Sequence, residues 1–245
     1  MGLSDVSRKH SQSCGESGFS LVEVVAAMAA GLVVLAAALQ ALLYFQREFS
    51  RQHAQVVQQQ DVRLGLDLLQ QELRLAGSGS LSIVRPDTVE FLGNVSGLMT
   101  NVTAPAAAGQ TTVTVQDGRG WPDHKFVDVC WNDVCQRFTL ARTGQRSLLT
   151  FVEPAPGPIP SGASVVVINR IRYYSRPDES GTLRWLRQID GGASVIASNI
   201  EGFALRCWDA QGRPTTNPES VRLVLVEIAL PGRAVKERRE ISLST

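Results

Sequence analysis

The chain has 245 residues, with 24 Lys and Arg against 23 Asp and Glu, a net charge of +1, and 44% hydrophobic residues. That balance leaves no basic footprint for nucleic acid and none for an acidic lipid surface, so neither is expected as a charge-driven partner. Setting aside residues 1–76 leaves about 170 residues, enough for one globular domain with its own core.

Residues 1–18 read MGLSDVSRKHSQSCGESG. They are polar, carry Arg8, Lys9 and His10, and hold no apolar core, which excludes a secretory signal peptide cut behind its hydrophobic region. The basic residues agree with a cytoplasmic N-terminus, although Asp5 and Glu16 dilute them and Arg47 and Arg51 flank the far side.

From Gly18 to Gln46 the chain reads GFSLVEVVAAMAAGLVVLAAALQALLYFQ, with Glu23 its single charged side chain. Between Val24 and Phe45 only the phenol of Tyr44 can ionise, and Gln40 is the only amide. At about 1.5 Å per residue this run is roughly 33 Å long, which predicts a transmembrane helix. A carboxylate in such a helix costs about 2.5–3.5 kcal/mol at the bilayer centre and less near an interface, so Glu23 needs a partner.

A small residue, then a large apolar one, then an acid four positions on, resembles the type IV prepilin signature, here Gly18-Phe19-Ser20-Leu21-Val22-Glu23. The resemblance implies that prepilin peptidase cuts between Gly18 and Phe19 and N-methylates Phe19. Glu23 would then lie one helical turn from the new ammonium and could pair with it, or with that of a neighbouring subunit, within an apolar bundle. A plain signal anchor with Glu23 at the headgroup level is the bland alternative.

Residues 47–76 contain no proline and continue the helix, which would measure roughly 87 Å from residue 19 to residue 76. Val62, Leu66, Leu69, Leu73 and Ala76 follow one helical stripe, and Val57, Leu64, Leu68 and Leu75 widen it. That face needs cover. Gly31 and Gly65 are where the helix would bend, and Gly77-Ser78-Gly79-Ser80 ends it. A membrane-anchored coiled-coil stalk is the alternative, against which stands the lack of a sustained heptad.

Residues 77–245 read as an antiparallel β-rich head. Strands are expected at 82–84, 88–92, 111–115, 126–129, 137–141, 148–152, 165–174, 183–188, 194–197, 203–208 and 222–229, separated by Gly, Asn, Asp and Pro clusters. Pro154-Ala155-Pro156-Gly157-Pro158-Ile159-Pro160 is too stiff for helix or strand and is expected to form a surface excursion or a subdomain joint. The fold class is therefore α+β, with residues 1–18 a leader, 19–46 the membrane or filament-core helix, 47–76 its amphipathic continuation and 77–245 the head.

Cys14 lies in the leader. Cys130 and Cys135 flank Trp131-Asn132-Asp133-Val134, and a two-residue turn at Asn132-Asp133 would set them opposite each other across a hairpin, close enough for a disulfide. In an oxidising compartment a bridge is favoured over two packed thiols. Cys207 has no assigned partner and reads as a buried thiol.

His10, His53 and His124 share no metal-ligand spacing, and there is no H-E-x-x-H, G-x-S-x-G, Walker or dinucleotide motif. Neither enzymatic activity, nor a cofactor, nor a metal is expected. Asp117-Gly118-Arg119-Gly120 with Asp123 hints at calcium, but an acidic glycine turn explains it equally. Trp121, Trp131, Trp185 and Trp208 fit core or hairpin packing better than an exposed adhesive surface.

The run LVEVVAAMAAGLVVL, the helix end Gln71-Glu72-Leu73-Arg74-Leu75-Ala76-Gly77, the pair Cys130 and Cys135, Ile171-Arg172-Tyr173-Tyr174, Leu183-Arg184, and Ala197 to Phe203 in that order resemble the PilW-type minor pilins. That resemblance implies a pilin-like fold and a low-copy type IV pilus subunit, held in the inner membrane by a single pass with a periplasmic head and found in the pilus after assembly. It also implies prepilin peptidase, the assembly platform and other minor and major pilins as partners, and a role in priming or capping the filament. Part of the resemblance is shared with the J-type minor pseudopilins of type II secretion. A pilus-tip adhesin or DNA-uptake subunit is the third alternative.

Overall fold

The computed structural model describes residues 20–76, 80–132, 134–232 and 236–243. The chain divides into two compact units, Met1–Gln55 and Val56–Thr245. The boundary falls within α1, Leu21–Ala76, an α-helix of 56 residues with no proline to interrupt it. Its end at Ala76 stands where the glycine-serine run begins.

In the first unit the helix is bare. Every residue from Ser20 to Arg47 is exposed, including Leu32, Val33, Leu35, Leu39, Leu42 and Phe45. The helix is long and apolar enough to cross a membrane, with a mean hydropathy of 2.4 over its most apolar stretch.

The second unit is a β-rich head around the other half of α1. Strands β1 (Leu81–Arg85), β2 (Thr88–Gly93), β3 (Met99–Ala104), β4 (Thr112–Val115), β5 (Phe126–Trp131), β6 (Val134–Thr139) and β7 (Leu148–Thr150) precede the long β8 (Ser164–Pro177). Then come β9 (Leu183–Ile189), β10 (Gly192–Ile200), β11 (Gly202–Trp208), β12 (Leu223–Ala229) and β13 (Glu237–Ser242). The first ten form one sheet and the last three another, and every strand pairing in them is antiparallel.

Strand β8 organises the larger sheet because it is long enough to serve two cores. Its first half pairs with β3 and β5, its second with β2 and β9. The inward residues alternate as a half-buried strand requires: Val165 and Val167 enter one core, while Ile171 and Tyr173 enter the other. Between them the buried Asn169 occupies the junction, donating to Asp190 at 2.7 Å and accepting from the Val95 amide at 3.3 Å. The first core is built from α1, β1, β2, β9 and the three-stranded sheet, and the second from β3 to β7 with Ala155 and Ile159.

Several expectations are corrected here. The helical stripe is narrower than the leucines suggest: Val62, Leu66, Leu69 and Leu73 are buried, but Val57, Leu64, Leu68 and Leu75 stay exposed. Gly65 does not break the helix. It admits Trp185 and Ile196, since a β-carbon there would stand 2.3 Å from Ile196 Cγ2 and 2.5 Å from the Trp185 ring. The Pro154–Pro160 segment is pinned inward through Ala155 and Ile159, and Ile159 exchanges backbone hydrogen bonds of 2.9 Å with Ala106. Strands β3 and β13 were not expected at all, and β6 begins at Val134 instead of 137 because the two-residue turn leads straight into it.

Candidate functional site

The surface that most needs a partner is the first half of α1. At its start the Ser20 carbonyl accepts from the Glu23 and Val24 amides at 2.9 and 3.2 Å, and Glu23 stands in the first turn, where a negative charge suits the helix dipole. Its carboxylate makes no ion pair among the described residues. Gly18 and Phe19 lie outside the described residues.

The second half of α1 is seated in the head. Val62, Leu66, Leu69 and Leu73 bury one stripe in the head, and Gly65 brings the helix backbone against Trp185. Polar contacts flank this seam on both sides. Gln58 donates to the Ser198 and Asn199 carbonyls at 3.0 and 2.7 Å, Gln59 donates to Glu237 at 2.9 Å, and Arg239 pairs with Asp67.

Inside the seam lies a charge that the stripe gives no hint of. Glu72 is buried, accepts from the Tyr173 hydroxyl at 2.6 Å and forms an ion pair with Arg187. Burial, reinforced by the Glu72 carboxylate, pushes the Tyr173 phenol far above the ordinary tyrosine range. Two strands thus hold the helix by a buried, hydrogen-bonded ion pair, and removing one partner would strand the other. Glu72 and Arg187 escaped the sequence reading because a lone glutamate between leucines resembles a solvent-facing helix residue.

Cys130 and Cys135 form a disulfide at directly opposed positions of β5 and β6, with Cα atoms 4.0 Å apart. Asn132 in the turn has a φ of 47°, the left-handed conformation that a tight two-residue hairpin demands. Cys207 is a buried free thiol, and burial raises it to about 11. Trp121 and Trp185 are core residues, whereas Trp131 and Trp208 are half-buried.

The acidic turn binds its own cation: Asp117 accepts from the Arg119 side chain at 2.6 Å. Among the described residues no three His, Cys, Asp or Glu side chains converge as metal ligands. His124 is exposed and 3.9 Å from Asp123. A polar cleft beside it is lined by Glu90, Lys125, Arg170, Arg172 and Asp190, but its strongest charges already satisfy one another, Arg172 with Glu90 and Lys125 with Asp190, each at 2.5 Å.

No family model, curated protein or solved structure matches the chain.

Proposed function

We propose that the protein is a minor pilin: a single-pass inner-membrane subunit with a periplasmic head, processed between Gly18 and Phe19 and inserted at low copy into a type IV pilus. The observation that carries the reading is the division of α1 into an anchored half and a bare apolar half with Glu23 alone at its tip. Leucine, valine and phenylalanine at such exposure require either lipid or other apolar helices. A subunit that passes from membrane to filament meets both in turn.

The mechanism is packing. Cleavage would free an ammonium at Phe19, and Glu23, one turn away, would neutralise it in its own chain or on a neighbour. Either pairing lowers the cost of holding both charges in an apolar bundle. The head, fixed to the helix through Glu72 and the leucine stripe, would follow its helix into the filament without refolding. Partner minor pilins would join through helix contacts, and the complex would prime or cap growth.

Glu23→Ala tests the pairing in cells. Processing at Gly18 should persist, while the subunit should be depleted from sheared fibres and fibre number should fall. Normal fibres containing the variant at wild-type level would contradict the proposed pairing.

A further inference from the structure

We propose that the cleft where the two sheets meet binds a fatty carboxylate, an anion with an apolar tail. The cleft holds about 450 Å³ and is walled by Val84 and Pro86 at the end of β1, by Leu205, Cys207 and Trp208 on β11, and by Pro214. Both its volume and its lining suit a small apolar molecule fixed by a few polar groups.

Besides Thr215 and Thr216, the polar groups at the cleft are cationic. Arg85 and Arg206 line the same cleft. Arg85 is exposed, and among the described residues it has neither an ion pair nor a side-chain hydrogen bond. Arg206 stands 3.6 Å from Glu227 Oε2 without a hydrogen bond to it, while Arg238 holds the other oxygen at 2.9 Å. The cleft therefore offers an apolar interior beside guanidinium groups with spare donors, the complement of a carboxylate on a hydrocarbon chain.

The backbone argues against a peptide strand as the occupant. Strand addition needs a row of unused N–H and C=O groups. Here the Leu205 amide donates to the Pro86 carbonyl at 2.8 Å, the Cys207 carbonyl accepts from Thr215 at 2.9 Å, and the Trp208 carbonyl accepts from Arg222 at 2.8 Å. What stays open is the side-chain surface of Pro86, Trp208 and Pro214 over the buried Val84, Leu205 and Cys207, which a flexible alkyl tail can follow. Each methylene buried should raise affinity about fourfold.

Photolabelling of the full chain in lipid nanodiscs tests the assignment, using a diazirine-bearing decanoate beside the matching diazirine-bearing decanol, with labelled peptides mapped by mass spectrometry. The carboxylate should label residues 84–86, 205–208 or 214–216. The variant Arg85→Gln/Arg206→Gln should cut that labelling by about tenfold or more, and Arg85→Lys/Arg206→Lys should restore much of it. Melting of the head, followed in parallel, controls for folding. Equal labelling of these segments by acid and alcohol, unchanged labelling in the folded glutamine variant, or labelling confined to residues 21–46 would overturn the proposal.

Discussion

Gly65 and Glu72 carry the joint between helix and head, and each has a testable energetic signature. In an isolated helix Gly→Ala gains about 1 kcal/mol. At position 65 the new methyl would press on Ile196 and on Trp185, which is 0% exposed and has nowhere to retreat. Overpacking of that kind costs about 1–3 kcal/mol, so Gly65→Ala should be a net loss in denaturant unfolding. Glu72→Gln keeps a bond to Tyr173 but leaves Arg187 without its counter-charge. Discounted for the partial exposure of Arg187, the expected loss is about 2–3 kcal/mol, and a double-mutant cycle with Arg187→Gln should recover part of it. The leucines of the stripe were legible in the sequence from their period alone. Gly65 read as a place for the helix to bend and Glu72 was given no role, because periodicity records apolar residues and cannot show that a tryptophan and an arginine, more than a hundred residues later, arrive at that face.

Tyr173 adds a pH dependence of known sign. Its folded-state pKa lies above the unfolded value of 10.0, raised by burial and then by the bond to Glu72. A group shifted upward contributes its full stability below the unfolded pKa and loses it as pH rises through the folded one. Unfolding free energy should therefore decline from about pH 10 upward, and Tyr173→Phe should decline less steeply over the same range. Parallel slopes for the two proteins would show that the phenol does not titrate in the unfolded chain alone.

At the scale of elements, the helix is seated by a seam one residue-row wide. Leu69 is fully buried and Leu64 is 67% exposed, although both were expected on the covered face. Leu69→Ala should cost about 2–5 kcal/mol and Leu64→Ala no more than about 0.5 kcal/mol, read by denaturant unfolding of the head. The Cys130–Cys135 bridge closes so short a loop that its chain-entropy contribution is about 2 kcal/mol at most, so the reduced protein should keep its fold with a slightly lowered midpoint.

Eleven strand regions were visible from β-branched residues between turn clusters. Strand β13 was hidden because it reads Glu-Arg-Arg-Glu, and three of those charges find partners elsewhere: Arg238 with Glu227, Arg239 with Asp67, and Glu237 with Gln59 and Arg63. Strand β3 was hidden by its mixture of Met, Thr, Asn, Val and Ala, of which only Thr100 and Val102 turn inward. The proline segment misled for a related reason. Its stiffness excludes regular structure but does not prevent Ala155 and Ile159 from facing a core.

For the whole molecule, the decisive contrast is between a head built on two buried apolar cores and a helix on which every residue from 20 to 47 is exposed. A permanent anchor would satisfy that contrast through lipid alone, with Glu23 serving only the helix dipole. In the proposed filament subunit Glu23 would also pair with the amine that cleavage would create. Mass spectrometry of the N-terminus of the protein isolated from its native membrane tests this most directly. The expected chain starts at Phe19 with one added methyl on its amine, and a chain still carrying residues 1–18, or trimmed at any other bond, would contradict the pilin reading.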